Sequence, residues 1–221
     1  MPGNRRGGAS RTALLAAGRA AFSAQRYEEV SVVEVARSIG AAAGSVSYHF
    51  GGKRGYYLAV LEQAADDFWS QLTQMRGPGV ERLGRGMDMF LDMAEQEPEA
   101  FEALIANAAD AEVRQIHDRH RRRLARALAI EITGSESTPV LQTALAGCLS
   151  LIEGTVLHWI HTEAISRRQL RELLMASVYS TVFSAISVDP QIELSQRALE
   201  ALMAGSQGRD LFTSESTKSK G

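Results

Sequence analysis

Between residues 41 and 53 the chain reads AAAGSVSYHFGGK: three alanines and a glycine, then Ser, Val, Ser, Tyr, His and Phe, then a Gly-Gly pair and a lysine. Ser45, Ser47, Tyr48 and His49 bring hydroxyls and a ring that can hydrogen-bond phosphate oxygens or base edges. Lys53 brings a compact positive charge suited to a phosphate. Ala42, Ala43 and Gly44 offer little besides backbone, so that stretch can come close to a partner surface. Val46 and Phe50 are suited to anchoring the segment to its own core. Ordinary packing at a helix end is the competing reading of Tyr48-His49-Phe50.

Other reactive groups are sparse. His117/His120 and His158/His161 are i,i+3 pairs, a spacing that permits metal ligation, and Glu163 is near the second pair. No third ligand of matching geometry is evident, so no metal site and no cofactor are predicted. Cys148 is the sole cysteine, which excludes an intrachain disulfide and a Cys-based zinc site. Its apolar setting, LAGCLSLI, predicts a buried, inert thiol. Neither a nucleophile–base pair nor a phosphate loop is present, and no catalytic residue is assigned.

The elements that must position these groups are helices. Leu14, Gly18, Ala21 and Phe22 form one stripe of a helix over about 9–25, with Ser10 as its N-cap. A second, short helix opens at Ser31, where Ser-Val-Val-Glu reads as a capping box with Glu34, and closes at Gly40. A third runs from about Ala42 to His49. After the Gly51-Gly52 break a long helix over 53–75 carries Tyr57, Leu61, Ala65, Phe68, Leu72 and Met75 at three- and four-residue steps. RGPGVE (76–81) is the clearest linker. Helices are then expected at about 81–96, 98–108, 111–132, 139–162 and 167–187, with Pro98 and Pro139 in first turns. Asp189-Pro190 stops the last of these, and 191–204 can form a short amphipathic helix. The segment 205–221 is Ser/Thr/Gly-rich and is expected to be a disordered tail. The fold class is all-α.

A helix of this length, a turn at Gly40 and a second short helix make a helix-turn-helix layout. Charge points the same way. Residues 1–60 hold eight Lys/Arg against three Glu, a net +5 that leaves −7 for the remainder of a chain whose total is −2. A basic first quarter on an acidic body fits one segment meeting a polyanion. No run of about 20 apolar residues and no signal-type leader is read, so the expectation is a cytoplasmic protein without a membrane partner.

The stretch YEEVSVVEVARSIGAAAGSVSYHFGGKRGYYLAVLE (27–62) resembles the DNA-binding segment of the tetracycline-repressor (TetR) family. The match runs from the aromatic start through Ala-x-x-x-Gly to Gly-Ser-Val-x-Tyr-His-Phe and the following lysine, and with the preceding helix it covers about residues 9–69. The resemblance implies that Ser31 and Val32 face DNA at the second helix's start. It also implies that Ala43, Gly44, Ser45, Ser47, Tyr48 and His49 occupy the recognition helix and that Lys53 contacts phosphate. Where the family often has a Ser or Thr cap this chain has Ala42; where a tyrosine is common it has Ser47, and Ala43 replaces a frequent polar base reader. Few bidentate base contacts follow, which leaves more of the specificity to Tyr48, His49 and DNA shape. Arg5 and Arg6 form an arm that reaches DNA or is simply solvated.

The resemblance further implies a C-terminal domain over 70–204 that binds an effector and dimerises. Small-residue stripes, Ala144/Gly147/Leu151/Gly154/His158 in 139–162 and Leu170/Leu174/Val178/Thr181/Ala185 in 167–187, predict a four-helix homodimer interface. Packing of these stripes within one subunit is the alternative. An apolar small-molecule effector is expected among Phe68, Trp69, Leu72, Phe90, Phe101, Leu104, Ile105, Ile152, Val156 and Trp159, with Glu153 and His158 as polar anchors; core packing is the rival account of each residue. Arg119, Arg122, Arg123 and Arg126 in HDRHRRRLAR read as a solvated face. The expectation is a transcriptional regulator, a repressor, that binds a pseudo-palindromic double-stranded operator as a homodimer and is released by its effector. Its rivals are a helical enzyme and a helical ligand-binding or interaction protein whose helix-turn-helix no longer reads DNA.

Overall fold

In the computed structural model, residues 3–77, 79–106, 110–135, 137–200 and 203 are described. Among them are no strand and nine helices of six or more described residues: α1 (Gly3–Ala24), α2 (Val32–Ser38), α3 (Ser45–Phe50), α4 (Lys53–Gln74), α5 (Gly79–Gln96), α6 (Pro98–Ile105), α7 (Ala111–Thr133), α8 (Pro139–Thr162) and α9 (Arg167–Val188). They divide into two compact units, one of Met1–Gln74 with Met93–His120, the other of Met75–Asp92 with Arg121–Gly221. The division falls inside α5 and inside α7.

In the first unit, Leu14 and Phe22 of α1, Val35 and Ala36 of α2, Val46 of α3, and Tyr56, Tyr57, Val60 and Leu61 of α4 form one core, which Val113 and Ile116 of α7 complete. Each Val, Leu, Ile or Phe side chain among them contributes about 1.5–3 kcal/mol by leaving water. Tyr56 is fully buried, and its hydroxyl donates to the Leu14 carbonyl. Gly18 makes room for that ring, since a Cβ there would lie 2.5 Å from the Tyr56 oxygen. One sequence expectation for α1 is corrected. The helix begins at Gly3, so Ser10 lies within it and is not its N-cap; Arg5 and Arg6 fall in the same helix.

Burial pushes the Tyr56 phenol up to about 12 from an ordinary 10.0. Unfolded tyrosine therefore ionises first, so its contribution to stability is complete below pH 10 and falls as pH rises toward 12. Alkaline titration followed by tyrosinate absorbance and circular dichroism is expected to show unfolding coincident with ionisation. In Tyr56→Phe that pH dependence should flatten.

In the second unit α8 and α9 pack against each other. The buried face of α8 carries Leu141, Leu145, Cys148, Leu149, Ile152, Val156 and Trp159, and that of α9 carries Leu170, Leu174, Val178, Val182 and Ala185. Thr138 caps α8 by accepting from the Leu141 amide. Ser166 and Gln169 form a complete capping box on α9. Asp88 on α5 accepts from Arg171 Nε at 2.6 Å, tying α5 to α9. Beyond α9, Ile192 is buried and residues 196–200 are helical, while the expected tail at 205–221 lies outside the described residues.

Candidate nucleic-acid interface

The helix-turn-helix is set by backbone chemistry at its two turns. Ser31 Oγ accepts the Glu34 amide at 3.4 Å, one half of the expected capping box; the reciprocal bond, from the Ser31 amide to the Glu34 carboxylate, is not formed among the described residues. At the other end, Ala41 N donates to Ala36 O at 2.9 Å and Gly40 N to Arg37 O at 3.0 Å, the paired bonds of a Schellman closure. Gly40 takes φ +69°, which the closure requires and a Cβ would oppose.

The recognition helix starts later than its sequence implies. Ser45 N donates to Ala42 O at 2.9 Å, so Ala42, Ala43 and Gly44 form a turn, and Gly44 stands at the N-cap without a side-chain bond. Expectations that α3 begins at Ala42 and contains Ala43 and Gly44 are corrected accordingly. Without a hydroxyl or carboxamide at 42 to cap the helix there, the first helical turn moves to Ser45. At the far end Gly51 (φ +75°) and Gly52 (φ +125°) turn the chain sharply into α4. Gly55 completes the corner, because a Cβ on it would collide with the Phe50 carbonyl oxygen.

That frame fixes which side chains point outward. Val46 is fully buried, and the Phe50 ring lies 4.9 Å from that of Tyr56, so the two anchors hold α3 down. Tyr48 is 84% exposed. Its ring meets His49 edge-on at 4.9 Å, Ser47 is exposed, and Ser45 and His49 are half-buried. At the start of α2, Ser31 is exposed, but Val32 packs partly onto the core and Val33 is the exposed valine.

Of the two cations that open α4, one is already committed. Arg54 donates to Asp110 at 2.5 Å and Glu112 at 3.0 Å, and its guanidinium holds the Asp110 carboxyl below the usual carboxylate range. Lys53 instead donates from Nζ to the Glu28 carbonyl at 2.9 Å, with the ammonium 4.8 Å from the Tyr27 ring centre. Arg11, which the sequence reading did not single out, is exposed and stands over Phe50 at 5.1 Å. Only the charge excess of the first 60 residues hinted at it.

The remaining expected residues are divided between the two units. Phe68, Trp69 and Leu72 of α4, and Leu104 and Ile105 of α6, are half-buried in the first unit, where Phe101 is buried. Phe90 is half-buried in the second unit, where Ile152, Val156 and Trp159 are buried. Trp159 Nε1 donates to the Ile165 carbonyl at 2.7 Å, which ties the α8–α9 turn. A cleft of about 240 Å³ in the first unit is walled by other residues, among them Phe22, Tyr27, Tyr57 and Glu97. Glu153 lies 3.8 Å from Arg121, and His158 is exposed. Among the described residues no cluster of three or more metal-ligating side chains occurs.

On α8 most of the expected stripe faces outward: Gly147, Leu151, Gly154 and His158 are exposed, and no atom lies within 4 Å of a Cβ built on either glycine, whereas Ala144 is half-buried against the core. On α9 the expectation is corrected. Leu170, Leu174, Val178 and Ala185 face inward because α8 already covers them, and the exposed apolar residues of α9 are Leu173, Phe183 and Val188.

With this geometry described, two family profiles decide the affiliation. "Bacterial regulatory proteins, tetR family" matches residues 14–60, and "Tetracyclin repressor-like, C-terminal domain" matches residues 80–181. The chain belongs to the TetR family of transcriptional regulators. A TetR-family regulator from Streptomyces coelicolor superposes with TM-score 0.77 at 22% identity, over 94% of this chain and 97% of its own. The fatty acid degradation regulator FadR from Bacillus halodurans gives TM-score 0.54 at 13% identity, over 76% and 91%. A transcriptional regulator from Pseudomonas aeruginosa PAO1 gives 0.54 at 20%, over 79% and 91%. Among curated proteins, none matches the sequence. These likenesses agree with the all-α TetR architecture of an N-terminal helix-turn-helix and a C-terminal helical domain.

Proposed function

We propose that this TetR-family regulator is a cytoplasmic, non-enzymatic repressor that binds a pseudo-palindromic operator as a homodimer and is released by an apolar small molecule. In this reading residues 9–69 are the DNA-binding domain and 70–204 the effector-binding and dimerisation domain. The observation that carries it is α3 itself: a helix pinned by a fully buried Val46 and presenting an 84% exposed Tyr48, with Lys53 just beyond the Gly-Gly corner. Ser31, Ser45, Ser47, Tyr48 and His49 supply contacts to phosphates and base edges, and Lys53 supplies a phosphate contact. The outward faces of α8 and α9 support a two-fold interface in which the same surface meets itself. Such a dimer sets two recognition helices about 34–36 Å apart, one turn of B-DNA. An effector that binds better to a form with another spacing shifts the population off DNA.

The test is binding to the protein's own upstream DNA and to a scrambled duplex across about 50–300 mM salt. Preference for the upstream fragment, with affinity falling steeply as salt rises, is expected. Lys53→Ala should weaken both duplexes alike and lower the salt slope by about one. Tyr48→Ala should instead change sequence preference, by about 1–3 kcal/mol at the affected base pair. Equal losses on both duplexes for both variants would sink this division of roles.

A further inference from the structure

We propose that Tyr27 is a positioning residue for DNA binding: its ring and the neighbouring Glu28 carbonyl pre-set the Lys53 ammonium, so that this long side chain meets a phosphate with little loss of freedom. The inference rests on the assignment of Lys53 to a phosphate. A free lysine carries large rotamer entropy, and immobilising such a side chain on binding costs affinity unless the protein has ordered it beforehand.

The geometry supplies that ordering from two directions. Lys53 Nζ donates one of its three N–H bonds to Glu28 O at 2.9 Å and sits 4.8 Å from the Tyr27 ring centre, within cation–π range. Two donors are left for an anion. The partners are themselves held. Glu29 N donates to Arg26 O at 3.0 Å and Arg26 N to the Glu29 carboxylate at 3.3 Å, which closes the turn that presents the Glu28 carbonyl. Tyr27 stacks on Phe22 at 6.2 Å and lies 4.9 Å from Tyr57, and burial of Phe22 and Tyr57 fixes that aromatic group. Arg54, the adjacent cation, is drawn to Asp110 and Glu112, so Tyr27 serves Lys53 specifically.

The test measures full-length protein on a mixed-sequence duplex by fluorescence anisotropy over a salt series. Tyr27→Phe is the reference, and phenylalanines of increasing ring fluorination at position 27 withdraw charge from the ring face at nearly constant shape. Affinity should fall stepwise with fluorination, to about three- to tenfold overall, while the salt slope stays constant because Lys53 still reaches its phosphate. In a Lys53→Ala background the same series should have no effect. A flat series in the wild-type background, with Lys53→Ala still weakening DNA binding, would overturn the role of Tyr27 and leave the phosphate contact standing. If Lys53→Ala itself leaves both affinity and slope unchanged, the phosphate assignment fails first and this inference with it.

Discussion

Tyr56→Ala is expected to unfold the DNA-binding unit under conditions where the second unit stays folded. The side chain is fully buried among α1, α3 and α4, and removal of a large core aromatic costs about 3–5 kcal/mol in transfer and cavity terms. Truncation also removes the hydroxyl's bond to the Leu14 carbonyl, a buried hydrogen bond added to the carbonyl's place in the helix. Tyr56→Phe should lose only the hydrogen bond, about 0.5–1.5 kcal/mol. The two tryptophans make the outcome legible, since Trp69 lies in the first unit and Trp159 in the second. Urea unfolding of single-tryptophan variants should move the Trp69 transition strongly and the Trp159 transition little. Equal shifts of both would mean that the units unfold as one cooperative body.

The second large effect concerns assembly. Leu151→Asp should produce a monomer and reduce operator affinity about a hundredfold or more. Leu151 is 48% exposed on the outward stripe of α8, between glycines that leave open space, so the substitution is tolerated within one protomer. In a two-fold interface the carboxylate enters twice and meets its own copy. Loss of the dimer removes the effective concentration that makes the second half-site contact intramolecular, a factor of about 10²–10⁴. Sedimentation equilibrium and anisotropy on the same samples check both parts. A dimer of undiminished strength with normal melting would place the interface elsewhere. Phe183→Asp, on the exposed side of α9, should repeat the result.

The helices themselves were legible in the sequence because amphipathic spacing and punctuation coincide: Gly40, Gly51-Gly52, Pro98 and Pro139 each stand where a helix ends or begins. The capping box Ser166–Gln169 was equally legible, as Ser-x-x-Gln before an apolar repeat, but was not singled out. Periodicity names the face of a helix that is apolar; it does not say whether a neighbour in the same chain already covers it. That is why the apolar and small-residue repeat marks the outward stripe of α8 but the inner stripe of α9. The start of α3 differs from the pattern for another reason. Alanine is a strong helix former, yet an uncapped Ala42 leaves the Schellman closure at Gly40 and the turn to Ser45 to decide. The tethering of Lys53 and Arg54 depends on partners 25 to 58 positions away, which no local pattern encodes.

Val113 and Ile116 seal the core begun by Leu14, although α5 and α6 intervene in the sequence. During synthesis the helix-turn-helix therefore emerges from the ribosome well before the residues that finish its hydrophobic interior. Closing so distant a contact is slow and costly in chain entropy compared with forming the local helices. The nascent regulator should thus pass through an interval in which α1 to α4 are made yet only loosely assembled. Arrested chains ending before and after residue 116 should differ sharply in protease resistance over α1–α4, with protection gained only once α7 has left the exit tunnel.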